Sequence, residues 1–447
     1  MRAAAALGAL ALALGAAGTS LGACTTAVGG GPDGAADAAP EAAADAGPAT
    51  ATNIKHLVVV IQENHTFDTY FGRWCTAPAG SKPTCTTGPA CCEAGPDKEP
   101  AGASPVVLDD AENGSFDPNH GQACELTEVN GGKMDQFVTG PCGDPKNFAY
   151  AAPSSVATYV DLASKGALAD RYFQPVVGAS EANDLYFARA SFVFADNSRV
   201  PNAIGKACYP PNVVLGEYTE PTIADLLVAA GVSWGFYAEG YKALKDANGT
   251  CPAPDPKCPV TQVSGYPCAY DPGDVPFAFF PSVRDTDAMR DYARFSADLG
   301  AGALPSVSFV KAIGYRTEHP GANITISAGM AFVKGVADAI AASAYAKDTL
   351  LLVTFDEGGG FFDHVPPPAT NPADNHPYGT RVPMIAVGRF ARKGAVSHVV
   401  MEHSSVVRFI EHNWLGATGQ LGTRDVNVAN IGSLLDPAET GAPVPEQ

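Results

Sequence analysis

The chain has 447 residues, 46% of them hydrophobic, with 47 acidic against 28 basic side chains and a formal charge of −19. That apolar content supports one large or two ordinary packed domains and excludes a wholly disordered chain. The acidic balance repels phosphate backbones and anionic surfaces, and so argues against a nucleic-acid-binding scaffold.

Residues 1–23 read as an export signal: Arg2 is followed by the apolar stretch "AAAALGALALALGAAG", too short and too rich in Ala and Gly for a stable membrane span. The small residues of "LGAC" then resemble a lipobox, with Cys24 as the lipidation site and membrane anchor; the alternative is ordinary cleavage nearby. Residues 24–52 read as a lipidated Cys and an unstructured tether, residues 53–436 as the catalytic domain and 437–447 as a C-terminal tail. Without Cys24, ten cysteines remain between residues 75 and 268. Export makes disulfides their default state, and the absence of paired CxxC units disfavours a zinc cluster.

In chain order, "HLVVVI" reads as a strand, "SVATYVDLASKGAL" and "TIADLLVAAG" as helices, and "VSWGFYAEG" and "PSVSFV" as strands. The long helix "ISAGMAFVKGVADAIAASAYA" leads to the strands "TLLLVTF" and "VPMIAVG" and a last helix "SSVVRFIEHNWL". Unalternating apolar strands interleaved with helices predict a three-layer α/β/α sandwich with a mainly parallel central sheet. Residues 75–110 and 240–280 are Cys- and Pro-rich loop insertions.

Two strands end in oxygen-bearing residues: Glu63 and Asn64 follow the first, Asp356 and Glu357 follow "TLLLVTF". Ligands of open α/β sheets collect at such carboxyl ends. An oxygen-only set fits one divalent cation, with magnesium, calcium and manganese equally admissible. The competing explanation is that these residues are caps and turns.

These segments also resemble a known family. "QENHTFDTYFG", "NHGQACELTEVNGGKMDQF", "EHPGANITISAGMAFVKGVADAI", "VTFDEGGGFFDHVPPP" and "GTRVPMIAV" with "SHVVMEHSSVVRFIE" resemble, in order, the motifs of the bacterial and plant phosphoesterases, which include phosphatidylcholine-hydrolysing phospholipases C and acid phosphatases. The resemblance implies an alkaline-phosphatase-like fold, one metal and a Ser or Thr nucleophile. It places that nucleophile at Ser180 in "VVGASEANDLYFARAS", keeping Asn183 and Tyr186 but with Asp184 where the family has Arg and Ala182 where it has Pro.

The expected metal ligands are therefore Glu63, Asn64, Ser180, Asp356 and Glu357. Asn64, Asn183, His120 and His319 are the expected substrate contacts, and Ser180, His120, His319 and His364 the catalytic groups; His364 has the alternative of orienting its loop through Asp363. Arg381 reads either as a partner of a ligand carboxylate or as a loop anchor, and His65 as a supporting or rim residue. His376, His398, His403 and His412 read as surface or packing residues. The implied function is hydrolysis of a phosphate monoester or phospholipid by an exported, lipid-anchored enzyme; the alternatives are a sulfatase-like esterase, which lacks a CxPxR segment here, and an inactive surface-binding lipoprotein.

Overall fold

The computed structural model describes residues 48–194, 217–247, 258–259 and 266–447, together with the backbone of 201–202 and 214–215. The export signal, Cys24, most of the tether, Cys208 and Cys251 lie outside the described residues.

Eight strands make the central sheet: β1 His56–Gln62, β2 Ala167–Ala169, β3 Trp234–Ala238, β4 Met289–Asp291, β5 Val307–Lys311, β6 Thr349–Phe355, β7 Met384–Val387 and β8 Ala395–Ser397. Their order is β8-β2-β7-β6-β1-β5-β3-β4. Only β7 runs antiparallel to its neighbours, so the mainly parallel expectation holds. Every residue of β6 and all but the first of β1 are buried, as strands covered on both faces require.

Among the described residues the helices of seven residues or more are α1 Gln122–Val129, α2 Ala157–Lys165, α3 Ser180–Arg189, α4 Ile223–Ala229, α5 Ala293–Ala301, α6 Ile326–Ala341 and α7 His403–Ile410. Helices α2 and α5 pack against α6, while α4 and α7 pack against α3, which gives the two outer layers. Helix α6 shows why such segments are helical. Thr325 caps it by accepting from the Ala328 N–H, and Ile326, Gly329, Phe332, Val333, Val336 and Ile340 form its buried stripe.

Register positions the site. Ile61 pairs with Lys311 of β5, and Gln62 pairs with Phe355 of β6, so the carboxyl ends of three adjacent strands lie level. A small second core of Val129, Met134, Phe137, Phe148, Tyr150 and Phe362 fastens the loop after β6 beneath the segment that carries His120.

The sequence pattern misplaces some boundaries. The helix "SVATYVDLASKGAL" stops at Lys165, where the Gly166 N–H closes onto the Leu162 carbonyl, and its last residues become β2. Residues 437–447, read as a tail, include a helical turn and bury Thr440 and Val444. Eight of the ten cysteines form four disulfides, Cys75–Cys92, Cys85–Cys91, Cys124–Cys142 and Cys258–Cys268.

Candidate active site

At the end of β1 the chain turns sharply. Glu63 donates its N–H to the Thr317 carbonyl at 2.9 Å, and Asn64 adopts a left-handed backbone with φ of 64°, a conformation Asn tolerates better than most side chains. At the end of β6, Asp356 Oδ1 accepts from the Asn64 N–H at 3.2 Å and from the Glu357 N–H at 2.7 Å. The two acidic strand ends are therefore bonded to each other. Gly359, at φ of 65°, follows closely, and a Cβ there would come within 2.4 Å of the Asn64 carbonyl oxygen.

Ser180 is the first residue of α3 and is 8% exposed. Its Oγ donates toward Asn64 Oδ1 at 3.5 Å. The turn that presents it is built by Asn183, whose Nδ2 donates to the Gly178 carbonyl at 2.7 Å and the Ala179 carbonyl at 3.2 Å while Oδ1 accepts from the Val176 N–H. The buried amide of Asn183, expected as a substrate contact, is engaged on both its oxygen and its nitrogen by the backbone before Ser180.

Glu125 and Gln174, which the motif reading passed over, join this turn to the loop after β6. Glu125 Oε2 accepts from Gln174 Nε2 at 2.9 Å and from the Gly178 N–H, and Gln174 Oε1 accepts from the Gly358 N–H at 2.7 Å. Neither residue stands in a recognisable ligand spacing, so nothing local in the sequence marks them.

Charge is densely packed here. Glu63, Asp184, Asp356 and Glu357 are all buried, and among the described residues Glu63 Oε1, Asp356 Oδ2, Glu357 Oε1 and both Asp184 oxygens lack a hydrogen-bond donor. Burial, then Glu125 and Asp356, push the Glu357 carboxyl well above the usual range; burial outweighs Lys311 in raising Asp356. Glu125 is raised to about 8, chiefly by burial. For Glu63 burial also acts upward, but Lys311 and then His319 outweigh it and hold its pKa below normal. The Lys311 ammonium is 2.9 Å from Glu63 Oε1, a close ion pair whose angles miss hydrogen-bond geometry.

These orphaned carboxylate oxygens are the right donors for a hard divalent cation. Among the described residues they do not form a group whose ligand atoms all lie within 4.8 Å, and Glu63 Oε1 instead lies 2.9 Å from the Lys311 ammonium. The groups whose ligand atoms all lie within 4.8 Å of one another are Asp117, His120 and His319, and Asp68, Asp363 and His364.

His120 and His319 come together at the mouth, their ring centroids 5.5 Å apart. Each donates Nδ1–H to a backbone carbonyl, His120 to Pro118 at 2.8 Å and His319 to Pro320 at 2.7 Å, which leaves Nε2 as the reactive nitrogen. His120 Nε2 lies 3.4 Å from Asn64 Nδ2 and 3.9 Å from Glu357 Oε1. Burial and then His319 push the His120 pKa down. Beneath His319, Glu318 is fixed by the hydroxyls of Tyr70 and Tyr159 and by Gln62 Nε2 at 3.3 Å.

His364 faces Asp68 and Glu93, not Asp363, the partner named for its loop-orienting alternative. Its Nδ1 is 2.7 Å from Asp68 Oδ2 and its Nε2 3.2 Å from Glu93 Oε2, so both nitrogens are engaged. Arg381, fully buried, donates to Asp363 at 2.9 Å and Asp68 at 2.8 Å, which makes it the anchor of the Pro-rich loop. His65 is sealed between the Glu63 carbonyl and Asn113, and is not at the rim. His403, read as packing, also has a supporting bond: Nε2 donates to the Asp356 carbonyl at 2.6 Å. His376 lies against Phe192 with the rings tilted by 41°, His398 pairs with Asp170, and His412 stays half-buried.

The layered α/β/α class thus carries its site at the carboxyl edge of the sheet. Within that class the chain belongs to the Phosphoesterase family, which it matches over residues 54–415. It is 25% identical over 417 residues to the non-hemolytic phospholipase C of Burkholderia pseudomallei, covering 81% of this chain and 55% of that protein. It is 25% identical over 429 residues to phospholipase C B of Mycobacterium tuberculosis, covering 86% of this chain and 78% of that one. The chain therefore spans about half the length of the Burkholderia relative. Among solved structures, a protein in the alkaline phosphatase superfamily from Vibrio parahaemolyticus aligns over 81% of this chain and 67% of its own, at 11% identity and a TM-score of 0.35.

Proposed function

We propose that the chain is a metal-dependent hydrolase of phosphoric esters in which Ser180 attacks phosphorus and forms a phosphoserine intermediate. The observation that carries this reading is the Ser180 hydroxyl at the start of α3, directed at Asn64 Oδ1 at 3.5 Å, with the Asn64 N–H in turn bonded to Asp356 at the neighbouring strand end. A serine hydroxyl is a weak nucleophile until a base or a cation lowers its pKa. Glu63, Asn64, Asp356, Glu357 and Ser180 would hold a divalent cation, which supplies Lewis-acid polarisation of the phosphoryl group and a lowered serine pKa. Oxygen donors favour magnesium, calcium or manganese.

The chain's own groups do the rest. The free N–H groups of the first turn of α3 offer donors to phosphoryl oxygens. The Ser180 Oγ–P bond forms as the bond from phosphorus to the leaving alkoxide breaks, while the proton of the Ser180 hydroxyl passes to the free Nε2 of His319 or His120 and from there to the departing oxygen. Water then cleaves the phosphoserine and restores the hydroxyl. Phosphate release from p-nitrophenyl phosphate, run beside phosphatidylcholine with each of the three metals, tests this reading and separates monoester from lipid preference. No turnover of either substrate with any metal overturns it.

Export of the enzyme is supported by four disulfides among the described residues, which persist in oxidising compartments. No helix among the described residues is long and apolar enough to cross a membrane. Attachment to the cell envelope through Cys24 predicts fatty-acid labelling that Cys24→Ala abolishes; an unlabelled wild-type protein contradicts it.

A further inference from the structure

Lys311 ends β5 with a side chain that is 2% exposed. Its ammonium stands 2.9 Å from Glu63 Oε1 and 3.6 Å from Asp184 Oδ2, yet neither approach has hydrogen-bond geometry, and among the described residues Nζ has no hydrogen-bond partner. A buried ammonium normally satisfies its donors. This one is held by charge without directional bonds, beside a carboxylate that the proposed metal also requires.

Resting on the metal-dependent reading above, we propose that Lys311 is a positioning residue that shares Glu63 with the divalent metal: a fixed cation, retained by Asp184, that balances the site's carboxylates and holds its metal affinity down. Two cations a few ångströms apart in a dry site repel strongly, so the lysine opposes the metal directly and also occupies an oxygen of Glu63. Asp184 works in the opposite sense, adding negative charge beside Lys311 and drawing it away from Glu63. The same arrangement accounts for an acid at position 184, where the resembled motif carries arginine. A guanidinium there would add a second positive charge against Lys311, whereas the carboxylate completes an alternating row of Glu63, Lys311 and Asp184.

Calorimetric titration of the chelator-stripped full chain with Mn²⁺ tests this without reference to turnover. Lys311→Met is expected to bind Mn²⁺ about tenfold or more tighter than wild type, and Asp184→Asn about tenfold weaker. If Lys311→Met does not fold, the charge-balanced double variant Lys311→Met/Asp184→Asn is compared with Asp184→Asn alone, and the same tightening is expected. A purely structural ion pair predicts unchanged or weaker binding on loss of the lysine, which overturns the inference and leaves the metal reading intact. A folded wild-type chain that takes up no Mn²⁺, Mg²⁺ or Ca²⁺ overturns both.

Discussion

The Asn64 backbone N–H donates to Asp356 Oδ1 at 3.2 Å, joining the loops that leave two adjacent parallel strands. One oxygen of Asp356 thereby serves the backbone, while Oδ2 has no donor among the described residues in a fully buried position. A single side chain both closes the loop and offers a ligand atom, and its two duties respond differently to substitution.

Asp356→Asn keeps an oxygen for the two N–H donors but removes the charge. The expected result is a folded protein whose turnover and divalent-metal uptake fall together by more than about a hundredfold. Glu63→Ala is expected to behave alike. Metal content by mass spectrometry beside turnover checks both, and a variant that keeps its metal while losing activity contradicts the ligand assignment.

Asn183→Ala removes three hydrogen bonds from the buried turn before Ser180. Leaving those backbone groups unpaired costs about 1–3 kcal/mol, read as a lower urea midpoint. Turnover should fall with KM little changed, because the amide orients Ser180 and does not touch substrate. A rise in KM with kcat intact would restore Asn183 to substrate binding.

His364 gives a pH signature. Burial lowers its pKa, but Asp68 and then Glu93 outweigh that and raise it from 6.5 to about 9. A group raised on folding contributes stability that is complete below pH 6.5 and is lost as pH climbs through about 9, a span of up to about 3 kcal/mol. Urea unfolding between pH 6 and 10 should show this decline in wild type and a flatter profile in His364→Gln. Equal slopes would remove the ion pair from the account.

What the sequence made legible follows from how local each signal is. Strands β1 and β6 are seven-residue runs of buried branched and aromatic residues, and the acids that end them stand out against such surroundings. Strand β2 has three residues and follows a helix directly, too short for any periodicity to appear. Lys311 and Glu125 are ordinary residues in their own segments. Only the register that sets Ile61 beside Lys311, and the packing that brings α1 to the Gly178 turn, give them a place at the site. Asn183 belongs to the nucleophile motif, but a motif does not distinguish an amide that holds substrate from one that holds the backbone.

The central claim is that Ser180 carries the phosphoryl group. Acid quenching during turnover of a phosphate monoester, followed by peptide mass spectrometry, tests it most directly, with Ser180→Ala turnover measured alongside. The account predicts phosphate on Ser180 and a loss of several orders of magnitude in the Ala variant, which should fold normally because one small hydroxyl contributes little to packing. An unmodified Ser180 with a loss of only about ten- to a hundredfold, the effect of one or two charge-assisted hydrogen bonds, would contradict it and assign the attack to water.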